Sequence, residues 1–95
     1  MSLEFEWDPA KAVSNRKKHG VTFEEAASVF ADPVANIFDD EMHAAEEQRE
    51  IIIGHSVANR LLLVCFTERS GAIRIISARR ATKRERRYYE ENPHR

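Results

Sequence analysis

A chain of 95 residues with a formal net charge of −1 is long enough to bury one core, and its 42% apolar and 33% charged content suits a folded protein rather than a disordered one. The longest apolar run, "LLLVCF" at 61–66, falls far short of the ~20 residues that a membrane-spanning helix needs, so no membrane partner is expected. The start, "MSLEFEWDP", has no basic segment leading into an apolar one, and the single cysteine, Cys65, has no second thiol to pair with; no signal peptide and a cytoplasmic location are expected.

The small net charge hides a division. Residues 69–95 hold nine Lys/Arg against three Glu, a balance of +6, and residues 1–68 carry −7. A basic end suits a nucleic acid, and an acidic remainder suits a basic protein.

In chain order, "FEWD" alternates apolar and acidic residues and predicts a short strand. Asp8-Pro9 then reads as an N-cap followed by proline at the first helical position, and this helix runs to about His19, closed by Gly20. A second helix starts at Thr22, which has capping-box spacing with Glu25; Phe23, Ala26, Ala27 and Phe30 form its apolar stripe, and Asp32-Pro33 ends it. "VANIF" predicts another short strand, and "DDEMHAAEEQ" an acidic loop with a mobile tip.

"REIIIGHSV", "RLLLVCFTE" and "AIRIISARR" follow as three strands joined by hairpin turns near Ala58-Asn59 and Ser70-Gly71. The continuously apolar "RLLLVCF" should be the central strand, covered on both faces. A last helix begins at Thr82, again with a Glu three residues on. The expected fold is α+β, in the order β-α-α-β-β-β-β-α. It is a single domain over residues 1–95, a small antiparallel sheet with two N-terminal helices packed on one face and a C-terminal helix.

Chemistry is concentrated at the basic end. The four histidines, His19, His43, His55 and His94, are scattered without a recognised ligand spacing, so neither metal nor cofactor is expected. Three isolated glycines make no phosphate loop, and no serine sits in a nucleophile elbow. Strict alternation along "AIRIISARR" groups Ile73, Ile75, Ser77 and Arg79 on one side, and Arg74, Ile76, Ala78 and Arg80 on the other. Arg79 and Arg80 then leave the strand in opposite directions beside the N-terminus of the last helix, where unpaired N–H groups favour a phosphate. Lys83, Arg84, Arg86 and Arg87 add charge on several faces of that helix, and Tyr88-Tyr89 offer stacking or a proton.

Each of these residues also has a structural reading. The last helix can be simply solvated, its arginines paired with Glu85, Glu90 and Glu91. His19 suits a cap that compensates the helix dipole. His55 is a sheet-face residue or an acid–base group. Glu68 forms an exposed pair with Arg69 or acts as a base. Cys65 reads as an inert core residue.

Two stretches, "FEWDPAKAVSNRKKHGVTFEEAASVFADP" and "ERSGAIRIISARRATKRERRYYEE", resemble the two halves of the BrnT family of bacterial toxins. The resemblance covers nearly the whole chain except the acidic loop at 39–50. It implies a RelE-like ribonuclease fold and an endoribonuclease that stops translation. The implied partner is a BrnA-like antitoxin with a ribbon-helix-helix domain, through which the complex reaches promoter DNA. The matched functional candidates are Arg79 and Arg80 of "SARRAT", Glu68-Arg69 of "TER", Arg60 before the central strand, and Tyr89. His19 and Gly20 match "KHG", which reads as the structural helix closure.

From these the expected catalytic set is Arg79, Arg80, Glu68, His55 and Tyr89, and RNA is expected along Arg60, Arg69, Arg74, Lys83, Arg84 and Arg87. The reaction is expected to need no metal. A non-catalytic nucleic-acid-binding module and a protein-interaction domain are the rival readings.

Overall fold

The computed structural model describes residues 3–40 and 48–92; His43, His94 and most of the acidic loop, with its expected mobile tip, lie outside them. Among the described residues, five strands form one sheet in the order β1-β5-β4-β3-β2. They are β1 (Phe5–Glu6), β2 (Asn36–Asp39), β3 (Glu50–His55), β4 (Leu61–Arg69) and β5 (Ala72–Arg80). The helices are α1 (Pro9–His19), α2 (Phe23–Ser28) and α3 (Lys83–Glu91), with one 3-10 turn over Val29–Ala31. The element order is the expected one. The sheet is mixed rather than wholly antiparallel, because β1 pairs parallel to β5, Phe5 opposite Ile73.

The local signals act as their chemistry requires. Asp8 caps α1 by accepting from the Ala10 N–H at 2.8 Å, and Gly20 closes it at φ 69°. Thr82 and Glu85 form a complete capping box on α3. At α2 only half of the expected box exists. Thr22 accepts from the Glu25 N–H at 3.1 Å, but the Glu25 carboxylate turns away to Ser56 and Arg60. The two-residue turn between β4 and β5 places Ser70 and Gly71 at φ 50° and 82°, a geometry glycine adopts freely.

β4 lies at the centre, and its alternation divides the core. Leu62, Val64 and Phe66 face α1 and α2, packed with Val21, Phe23, Ala26 and Val29. Phe30 links this layer edge-to-face, with ring centroids 4.9 Å from Phe66 and 5.3 Å from Phe5. Leu61 and Leu63 face the other way, towards Ile53 and Tyr89 of α3. The two N-terminal helices share one face of the sheet, as expected, and α3 covers the other. The ring of Tyr89 supplies the apolar cover for this second face.

The strict alternation expected of β5 also fails. A bulge shifts the register between Cys65 opposite Ser77 and Phe66 opposite Ile75, leaving Ile76 unmatched. Beyond it the faces exchange. Ala78 and Arg80 join the side of Ile73 and Ile75, and Ser77 and Arg79 join Arg74. Arg79 and Arg80 still diverge, but Arg79 lies on the α3 face. Where β1 has ended, Asn15 of α1 takes over the outer edge of β5. Its side chain donates to the Ala78 carbonyl at 2.8 Å and accepts from the Ala78 N–H at 3.0 Å, so these buried groups keep their partners.

Candidate active site

His55 ends β3 opposite Leu61, and the Ala81 N–H donates to the Leu61 carbonyl, so one rim of the sheet carries His55, Leu61 and Ala81 in a row. Arg80 precedes this row on β5 and α3 starts just after it. Backbone spacing puts His55 and Arg80 two strands, about 10 Å, apart, with His55 on the α3 face and Arg80 on the α1–α2 face. The turn from Ser56 to Arg60 flanks the rim and is held firmly. Ser56 Oγ donates to Glu25 Oε2 at 2.7 Å, Arg60 Nε donates to the same oxygen at 2.9 Å, and the Val57 N–H donates to Ser28 Oγ at 2.8 Å.

At the rim is a buried polar group that the sequence did not reveal. Asp32 Oδ2 accepts from the Tyr89 hydroxyl at 2.7 Å and from the His55 backbone N–H at 2.8 Å, while Oδ1 accepts from the Val34 N–H at 3.0 Å. His55 Nδ1 lies 3.2 Å from the Tyr89 hydroxyl oxygen. Burial alone would raise the Asp32 carboxyl, but the bonds from His55, Tyr89 and Val34 outweigh it and hold the group below its ordinary value. Burial, reinforced by Asp32, pushes the Tyr89 hydroxyl up to about 12. Tyr89 is thus a committed donor inside the protein and a poor proton source for substrate. In the sequence, Asp32 before Pro33 reads only as a helix stop.

The arginines divide by partner. Arg79 forks onto Glu85, Nη1 to Oε1 at 2.8 Å and Nη2 to Oε2 at 2.9 Å. That hydrogen-bonded pair raises Arg79 and holds Glu85 below the usual carboxylate range. Arg60 is bound to Glu25 by two nitrogens and also donates to the Gly20 carbonyl at 3.2 Å, so it serves the turn rather than an open surface. Arg80, Lys83, Arg84, Arg86 and Arg87 are exposed and form no ion pair among the described residues.

Not every candidate comes together. Glu68 sits six residues along β4 from Leu62, roughly 20 Å from the rim at about 3.3 Å per residue. It shares the far end of the sheet with Arg69 and with Arg74, which donates to Glu6 at 2.9 Å. His55, Tyr89, Arg79, Lys83, Arg84 and Arg87 gather on the α3 side of the rim, while Arg80 leaves the rim on the opposite, α1–α2 face. His19 ends α1 as its sequence position suggested.

Between α3 and the second sheet face lies an open groove of about 810 Å³. Phe38, Ile51, Leu63, Cys65 and Tyr88 line it, with Arg79 and Arg84 at its border. Cys65 is therefore a partly buried groove residue, not the enclosed core residue expected. Burial raises its thiol, which keeps it largely protonated and slow to react near neutrality. Among the described residues, no group of three or more His, Cys, Asp or Glu side chains is arranged to hold a metal ion. No helix of the described residues is long and apolar enough to cross a membrane.

This architecture is shared with a solved protein. The crystal structure of the Brucella abortus ribonuclease toxin BrnT matches with a TM-score of 0.68 at 24% identity, covering 86% of this chain and 100% of that one. No curated protein sequence matches the chain. Residues 7–85 match the family described as the ribonuclease toxin, BrnT, of type II toxin–antitoxin systems, and the chain belongs to that family. It is accordingly a ribonuclease toxin, with RNA as its substrate and an antitoxin as its partner.

Proposed function

We propose that the chain acts as one toxin domain and cleaves RNA without a metal, at the rim that carries His55, Arg80 and the start of α3. The observation that carries this reading is the His55 imidazole. Its Nδ1 is engaged by Tyr89, while Nε2 has no hydrogen bond among the described residues. His55 takes the proton of the RNA 2′-hydroxyl as that oxygen attacks the adjacent phosphorus. The P–O5′ bond breaks, and the departing 5′-oxygen takes up a proton from water. Lys83 and the N–H groups that open α3 stabilise the negative charge on the phosphate, an effect worth about 3–4 kcal/mol per well-aimed donor, and Arg80 adds charge from the other side of the rim. Arg84 and Arg87 extend the basic track for the strand. Glu68, at the far end, takes no part in the chemistry.

The antitoxin in this reading is a BrnA-like ribbon-helix-helix protein, and the complex reaches promoter DNA through that domain. An acidic, amphipathic segment seated in the groove beside α3 would cover Arg79 and Arg84 and block the RNA track. Such a toxin works in the cytoplasm. The direct test is a cleavage assay with EDTA present, using RNA and the same RNA bearing 2′-O-methyl groups. Cleavage that survives EDTA and vanishes with 2′-O-methylation supports the reading; cleavage of the methylated RNA overturns it.

A further inference from the structure

Tyr89 has one hydroxyl proton, and the Asp32 carboxylate takes it at 2.7 Å. An ionised carboxylate offers only acceptors, so this bond has one possible direction. The phenol oxygen can then meet His55 Nδ1, 3.2 Å away, only as an acceptor, and Nδ1 must carry the hydrogen. In a neutral imidazole the lone pair then belongs to Nε2. We infer that Asp32 and Tyr89 are positioning residues that fix the tautomer of His55, holding Nε2 ready as the proton acceptor. The inference rests on the assignment of His55 as the base.

The surroundings are built for this chain of bonds. Asp32 follows the 3-10 turn on one side of β3, and Tyr89 reaches it from α3. The His55 backbone N–H fixes the same carboxylate oxygen, so ring and carboxylate are anchored at one residue. Gly54 makes the approach possible. A Cβ built there would lie 3.0 Å from Asp32 Oδ2 and 3.1 Å from Val29 Cγ1, closer than ordinary packing allows. The His55 and Tyr89 rings meet edge-to-face at 5.2 Å, which limits rotation of the imidazole.

The tautomer is directly observable by long-range nitrogen–proton NMR on chain labelled with ¹⁵N-histidine, at a pH where His55 is neutral. The wild-type chain should show His55 protonated at Nδ1; protonation at Nε2 would overturn the inference without any variant. In Tyr89→Phe the acceptor is lost, and His55 should shift towards protonation at Nε2, with kcat falling roughly tenfold to a hundredfold and KM little changed. In Asp32→Ala the Tyr89 proton is released to turn towards Nδ1, and the same shift is expected in the folded fraction. An unchanged tautomer in both variants sinks the inference. His55→Ala separates the two levels. If it retains full activity, the assignment of the base fails. If it is inactive while Tyr89→Phe keeps the wild-type tautomer and rate, only the positioning role fails.

Discussion

Adjacent arginines in one motif have different circumstances here, and their variants should behave differently. Arg79 is forked onto Glu85, which also belongs to the capping box of α3, whereas Arg80 is exposed and unpaired among the described residues. Arg79→Ala should therefore lower stability, by about 0.5–1 kcal/mol for a partly exposed bidentate pair. Arg80→Ala should leave thermal unfolding nearly unchanged while reducing RNA cleavage at least tenfold. Unfolding curves and single-turnover rates check both; a destabilised Arg80→Ala with full activity would invert the assignment. The paired carboxylates set a pH limit as well. Glu25 and Glu85 are held below their ordinary value of 4.5, chiefly by the hydrogen bonds from Arg60 and Arg79. Depressed values mean stability that is complete above pH 4.5 and lost as pH falls through the lower, folded-state values. Denaturant midpoints should decline below about pH 4.5, and less steeply in Glu25→Gln and Glu85→Gln, which no longer have that carboxylate to protonate.

At the scale of elements, the parts readable from sequence are those decided within a few residues. Asp8-Pro9, Gly20 and the Thr82/Glu85 box mark helix ends because capping partners are two to four positions apart. The apolar run of β4 likewise announces a central strand. Contacts that close over long separations leave no such trace. Asn15 meets Ala78 across 63 residues, and Asp32 meets Tyr89 across 57. The bulge at Ile76 is set by pairing across β4 and carries no distinctive residue, so alternation assigned Arg79 to the wrong face. Gly54, beside His55 in an otherwise apolar strand, was the one local sign of a close approach. Asn15 gives an element-scale prediction. Asn15→Ala strips partners from the buried N–H and C=O of Ala78 and should cost about 2–4 kcal/mol. Amide exchange at Ala78 and in the adjacent Arg79-Arg80 segment should accelerate more than in β3; a uniform change would argue against a local anchor.

For the whole molecule, two neighbouring surfaces share the basic residues of α3. One is the rim, where the phosphate chemistry is proposed, and the other is the apolar groove proposed for the antitoxin. Cys65, the single thiol of the chain, lies in that groove and serves as a reporter. Its alkylation should slow at least tenfold in the toxin–antitoxin complex, and hydrogen exchange should fall in the Arg79–Arg80 segment and part of α3. Unaltered labelling of Cys65 in a tight complex would place the antitoxin elsewhere.

The central claim is that the substrate's own 2′-oxygen displaces the 5′-oxygen, with His55 as base and the cations of the rim holding the phosphate. The most direct measurement is the chemistry of the ends left on a defined RNA after one turnover, read by mass spectrometry. The account predicts a 2′,3′-cyclic phosphate on the upstream fragment and a free 5′-hydroxyl on the downstream one. A 5′-phosphate with a free 3′-hydroxyl would contradict it, because those ends require an attacking water instead of the 2′-oxygen.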